Sequence, residues 1–84
     1  MQIIKISAMW CPSCLIMNDL ISDLIDSSKY ELVSYDYDLD QDIVSKYNVG
    51  MILPVLIKLD DDKNEINRIV GEHTKREIID FIKG

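Results

Sequence analysis

The hydrophobic positions of this chain switch repeatedly between a strand period and a helix period. Gln2 to Ala8 carries Ile3, Ile4 and Ile6 in a short apolar run, which predicts a largely buried strand. After Cys11-Pro12-Ser13-Cys14, the residues Leu15, Ile16, Leu20, Ile21, Leu24 and Ile25 recur at helical spacing. Asn18, Asp19, Ser22, Asp23 and Asp26 supply the wet face of that helix, and Ser27-Ser28 ends it. Glu31 to Asp38 returns to alternation, with Leu32, Val33, Tyr35 and Tyr37 set against Ser34, Asp36 and Asp38. Gln41 to Tyr47 predicts a short helix stopped near Asn48-Val49-Gly50. Ile52 to Leu59 is rich in branched residues and predicts a third strand, with Pro54 at its entrance. Asp60 to Asn64 is a polar turn, so a hairpin leads into Glu65 to Val70. Gly71 breaks the pattern. Thr74 with Glu77 three residues later is a capping box, and Ile78, Ile79, Phe81 and Ile82 form the buried stripe of a last helix.

The predicted order is βαβαββα. A strand–helix–strand unit makes the first two strands parallel, and the final hairpin makes the last two antiparallel. The expected class is α/β, a four-stranded mixed sheet flanked by three helices in three layers. With 84 residues the whole of 1–84 is expected to be one domain. Its core can only be modest, so each apolar face must be used.

Charge narrows the partners. A formal net charge of −6 argues against non-specific nucleic-acid binding and against docking on anionic lipid. The acidic stretch from Asp36 to Asp42 is interleaved with apolar residues and reads as a strand face and a polar helix start. It lacks the turn glycine and terminal Glu of an EF-hand loop. No apolar run is long enough to span a bilayer and no secretory leader pattern is present, which gives the expectation of a cytoplasmic protein. In that setting two cysteines are more often catalytic or metal-binding than a structural staple.

Both cysteines stand in Trp10-Cys11-Pro12-Ser13-Cys14, at the junction of the first strand and first helix. Such a junction can expose a thiol. Exchange needs a thiolate, and the free N–H groups and dipole of a helix N-terminus stabilise an anion. Pro12 suits the first helical turn, where its missing N–H costs nothing. Cys11 is therefore the expected nucleophile. Cys14, one turn deeper, is the expected resolving thiol, ready to break a mixed disulfide. This reading requires the two sulfurs to lie close together and not both to be sealed from solvent. His73, the only histidine, lies in a polar turn and reads as a surface residue.

The element order and the Trp-Cys-x-x-Cys motif resemble the thioredoxin superfamily, over nearly the whole chain. Leu53-Pro54 looks like that family's cis-proline, and Val70-Gly71 followed by Thr74-Lys75-Arg76-Glu77 resembles its C-terminal pattern. The extra strand and helix that precede the active-site strand in full-length thioredoxin are missing, so the chain is similar to a thioredoxin of glutaredoxin size. The resemblance implies a dithiol–disulfide oxidoreductase that reduces protein disulfides, with no cofactor beyond a redox-active Cys11–Cys14 disulfide and no metal. It implies disulfide-containing protein substrates, a reductase or dithiol donor, and a monomer that binds neither nucleic acid nor membrane. It also implies a flat apolar docking patch of Trp10, Pro12, Ile52, Pro54 and Gly71, with the backbone of Leu53 presented to substrate and Met9 and Met51 as possible additions.

Lys5 departs from the pattern. Six residues before Cys11, thioredoxins resemble one another in carrying a buried carboxylate, and this chain has a lysine there. A buried lysine is costly unless paired. The expected partner is Asp36 on the neighbouring strand, which makes Lys5 and Asp36 candidates for tuning the Cys14 thiol. A lysine that snorkels to the sheet edge is the plainer alternative.

Other functional readings stay open. Small copper chaperones also set a Cys-x-x-Cys after the first strand, and Met9-x-Cys11-x-x-Cys14 is close to their pattern. Two thiolates suit Cu(I), although that fold ends in a strand. A glutaredoxin using glutathione would show Thr-Val-Pro and a double glycine, where this chain has Ile52-Leu53-Pro54 and Val70-Gly71-Glu72-His73. A binding or sensor module with little turnover is a further alternative.

Overall fold

A computed structural model describes residues 1–83. The elements follow the expected order: β1 (Gln2–Ser7), α1 (Pro12–Asp26), β2 (Glu31–Asp36), α2 (Gln41–Lys46), β3 (Val55–Leu59), β4 (Glu65–Val70) and α3 (Lys75–Lys83). The sheet runs β2-β1-β3-β4. β1 is parallel to β2 and antiparallel to β3, and β3 is antiparallel to β4. The element after β4 is a helix, where the copper-carrier alternative expects a strand.

Side-chain alternation divides the core in two. Ile4 and Ile6 of β1, with Val55, Ile57 and Leu59 of β3, pack toward Ile43 and Val44 of α2. Ile3 and Leu56 point the other way, against Met17, Ile21 and Ile25 of α1 and Ile78, Phe81 and Ile82 of α3. Helices cover both sheet faces, which explains why the central strands β1 and β3 read as continuous apolar runs.

Local chemistry sets the element ends. The capping box at α3 forms as expected: Glu77 N–H donates to Thr74 Oγ1 at 3.2 Å, and Thr74 N–H donates to Glu77 Oε1 at 2.9 Å. β2 stops at Asp36, two residues early. There the Asp36 carboxylate accepts the N–H groups of Asp38 and Leu39 at 2.8 and 3.0 Å, which curls the chain into a turn. β3 begins at Val55, after Pro54 rather than at Ile52. Asn48, at φ 54, makes the left-handed step that follows α2. Gly50 has open space around it.

The buried stripe of α1 also differs from expectation. It consists of Cys14, Met17, Ile21 and Ile25, whereas Leu15 and Ile16 are 64% and 70% exposed. A helix turns about 100° per residue, so once Cys14 faces inward its two successors cannot. A second buried lysine, Lys58 on β3, has its ammonium over the rings of Tyr30 and Phe81, 5.4 and 5.2 Å from their centroids.

Candidate active site

Cys11 is the N-cap of α1. Its backbone is extended, at φ −97 and ψ 109, and Pro12 opens the helix behind it. The Cys14 N–H donates to Cys11 Sγ at 3.3 Å. A thiol sulfur thus takes the place that a Ser or Asp oxygen commonly holds, satisfying one of the orphan N–H groups of the first turn. That turn contains no acidic residue to oppose a negative sulfur.

The nucleophile is more recessed than the sequence suggests. Cys11 is 6% exposed and Cys14 is 0% exposed, and both are free thiols. The Cys11 thiol also donates to the Leu53 carbonyl at 3.6 Å, so the segment before β3 lies against the sulfur and leaves a narrow opening. Cys14 is the sealed member of the pair. Burial, first, and its hydrogen bond to Cys11 push its thiol from an ordinary value of 9.0 up to about 11. A backbone hydrogen bond from Ala8 and the charge of Lys5 oppose that rise.

The Leu53–Pro54 peptide is cis, in line with the resemblance. The residues expected to form a flat patch separate into a floor and a rim. Leu53, Pro54 and Gly71 are buried, and Trp10, Pro12 and Ile52 are exposed. Gly71 N–H donates to the Pro54 carbonyl at 2.9 Å, joining the floor to the end of β4. At φ +87, Gly71 has a backbone that side-chain-bearing residues rarely adopt, and an added Cβ would lie 3.2 Å from Ile52 Cγ2. The rim is wider than expected, because Met9, Met51, Leu15 and Ile16 are also exposed.

Trp10 is 52% exposed, which excludes a plain core role. Its Nε1–H donates to Asp38 Oδ2 at 2.8 Å, and its ring meets Tyr37 edge to face at 5.9 Å. Two residues therefore join the site with no advance signal in the sequence. Asp38 holds Trp10. Glu72 accepts the Ser13 hydroxyl at 3.0 Å, linking the motif to the loop after Gly71. His73 stays peripheral, with Nε2 3.1 Å from the Val70 carbonyl and Nδ1 3.4 Å from Glu77.

The expected Lys5–Asp36 pair does not form. β1 and β2 pair Lys5 with Ser34 and Ser7 with Asp36, and the Asp36 carboxylate is occupied by the turn that follows it. Lys5 is 7% exposed, and burial pushes its ammonium below the usual lysine range. The charges that act on it are those of Cys14 and Asp19. Lys5 therefore belongs with the buried thiol, and Asp36 belongs with the Trp10 turn.

The model of the family described as Thioredoxin matches residues 1–84. The chain belongs to the thioredoxin family. The solved structures it resembles agree. Thioredoxin 1 from Thermosipho africanus superposes with a TM-score of 0.88 at 22% identity, over 99% of this chain and 91% of that one. The reduced thioredoxin pre-protein of Schistosoma mansoni gives 0.86 at 23% identity, over 96% and 74%. Mitochondrial thioredoxin 3 of Saccharomyces cerevisiae, in its oxidised form, gives 0.84 at 26% identity, over 98% and 76%. A search of curated protein sequences returns no match. Family and fold make this thioredoxin-family chain a thiol–disulfide oxidoreductase in broad class.

Elsewhere, a cavity of about 620 Å³ opens between the C-terminal ends of α1 and α3, lined by Leu24, Tyr30, Ile79 and Ile82. It lies at the opposite end of α1 from the sulfurs. No helix among the described residues is long and apolar enough to cross a membrane.

Proposed function

We propose that this chain reduces disulfide bonds in protein substrates, with Cys11 as attacking nucleophile and Cys14 as resolving thiol. One observation carries the reading: Cys11 Sγ caps α1 and accepts the Cys14 N–H, while Cys14 is sealed beneath it. Cys11 attacks one sulfur of the substrate disulfide, forming a mixed disulfide and releasing the other as a thiol. Cys14 then attacks Cys11 Sγ, expels the second substrate sulfur, and leaves a Cys11–Cys14 disulfide. Two electrons pass from the dithiol to the substrate.

The rim of Met9, Trp10, Pro12, Leu15, Ile16, Met51 and Ile52 supplies apolar contact for an extended segment of substrate. The buried Leu53 backbone and the Pro54–Gly71 floor shape the opening beneath it. A net charge of −6 favours neutral or basic substrates over acidic ones. A reductase or dithiol must restore the pair after each cycle, and no cofactor or metal enters. The reading places a monomer in the cytoplasm, where such thiols are kept reduced.

Insulin reduction with dithiothreitol as donor tests this. The wild-type protein accelerates precipitation of the insulin B chain, and Cys11→Ser abolishes the effect. No acceleration over dithiothreitol alone contradicts the reading.

A further inference from the structure

Glu72 is a charged group at the edge of the site that the exchange above does not use. β1, β2 and β4 run in the same direction, so the turns that follow them gather at one end of the sheet. Cys11 follows β1, Asp38 follows β2 and Glu72 follows β4. In the order β2-β1-β3-β4 the two carboxylates come off the outer strands, with Cys11 between them. Asp38 is engaged by the Trp10 indole. Glu72 is exposed and adjoins Gly71, whose N–H holds the Pro54 carbonyl of the floor. Ser13, between the two cysteines of the motif, donates its hydroxyl to Glu72 Oε1 at 3.0 Å. The other oxygen, Oε2, accepts no hydrogen bond among the described residues, and Glu72 forms no ion pair among them. The basic residues that follow it lie elsewhere: His73 faces the Val70 carbonyl and Glu77, and Lys75 and Arg76 open α3, exposed. A carboxylate is thus anchored to the Cys11–Cys14 motif by one oxygen and open at the other.

We propose that Glu72, held by Ser13, selects substrates by pairing with a lysine or arginine next to the substrate's reacting cysteine. The proposal rests on the dithiol reading above and adds a substrate class to it. A carboxylate already fixed by a hydrogen bond gives up less side-chain freedom on pairing than a loose one. Its open oxygen accepts an ammonium, or one arm of a guanidinium, in a charge-assisted hydrogen bond. The apolar rim carries no charge with which to tell a basic segment from an acidic one, so Glu72 supplies that discrimination. The same carboxylate repels an acidic neighbour, and selectivity gains from the repulsion as well as from the attraction. The net charge of −6 acts on the substrate as a whole at long range and is screened by salt. Glu72 acts at contact, on one residue.

Two blocked tripeptides, Lys-Cys-Lys and Glu-Cys-Glu, each oxidised to its symmetric disulfide, are the probes. The reduced protein is mixed with each, the reaction is quenched with acid, and the released peptide thiol is measured by chromatography. Each rate constant is divided by that of dithiothreitol with the same peptide, which allows for the different reactivity of the two disulfides. The quantity read is the ratio of the Lys to the Glu peptide, which a general loss of activity in a variant does not move. Glu72→Gln should lower this ratio by about threefold, the scale of a surface charge pair, and Glu72→Lys should lower it by about as much again. Ser13→Ala, which keeps the charge but frees the carboxylate, should fall between the wild type and Glu72→Gln. Glu31→Gln removes the same charge from the start of β2, at the other end of the sheet, and should leave the ratio nearly unchanged. A ratio unmoved in Glu72→Gln overturns the proposal. An equal fall in Glu31→Gln also overturns it, by assigning the preference to net charge, and an unmoved ratio in Ser13→Ala overturns the anchoring. Peptide reduction that survives Cys11→Ser, or a wild type that reduces neither peptide, removes the dithiol reading itself and is distinct from any result at Glu72.

Discussion

Trp10 Nε1–H donates to Asp38 Oδ2 at 2.8 Å, tying the residue before the nucleophile to the turn after β2. The same turn is built by Asp36, whose carboxylate accepts the Asp38 N–H, and is closed by Asp40, whose carboxylate accepts the Asp36 N–H at 2.9 Å. The acidic stretch therefore acts as a brace for an exposed indole. Replacing Asp38 with Ala should cost under about 1 kcal/mol of stability, since the bond lies at the surface. It should lower the rate of insulin reduction by about threefold to tenfold through loss of ring placement. Trp10 is the only tryptophan, so its fluorescence reports the freed ring directly.

Gly71 lies against Ile52 with a backbone conformation that favours glycine. Gly71→Ala adds a Cβ 3.2 Å from Ile52 Cγ2 at a backbone φ of +87. The expected loss is about 1–2 kcal/mol, from left-handed backbone strain together with the contact. Ile52→Ala in the same chain should recover only the contact share. Urea midpoints of the two single variants and the double variant check this, and full recovery would show that the backbone carries no strain.

The element order, the α3 capping box and the Gly71 break were legible in the sequence because each is a local pattern with a local cause. The Cys11 cap was legible for the same reason, since Pro12 and the helical period beyond it place the N-terminus. Contacts set by three-dimensional packing were not legible. Nothing near Asp38 marks it as the partner of an indole 28 residues away, and Ser13 gives no hint of Glu72. Leu15 and Ile16 match a helical apolar stripe as well as Met17 does. Their exposure follows only from the inward direction of Cys14. The Lys5–Asp36 expectation failed on register, since parallel pairing puts Ser34 beside the lysine.

The Cys14 thiol makes the stability of the reduced protein depend on pH. Burial raises it from 9.0 to about 11, so the folded state holds that proton more tightly than the unfolded state. The resulting stability is complete below about pH 9 and disappears as pH rises through about 11, with a size on the order of 3 kcal/mol. Urea midpoints across this range should fall for the reduced wild type. The fall should be shallower in Cys14→Ala, which has no proton to lose there; equal slopes would contradict it.

At α3 the sign reverses. The Thr74 backbone and hydroxyl bonds, first, and His73 hold the Glu77 carboxyl below the usual carboxylate range. Its contribution is therefore present above the ordinary carboxylate value and is lost as pH falls through the depressed one. Thr74→Ala should cost about 1 kcal/mol near neutral pH. It should also flatten the acid limb of the stability profile, read by thermal melts at a series of acidic pH values.

The proposed exchange requires Cys11 to be the reactive sulfur and Cys14 the sheltered one. Limited alkylation of the fully reduced protein with iodoacetamide near neutral pH, followed by peptide mapping, measures this directly. At least about tenfold more label on Cys11 than on Cys14 is the predicted result. Equal labelling, or preferential labelling of Cys14, would contradict it.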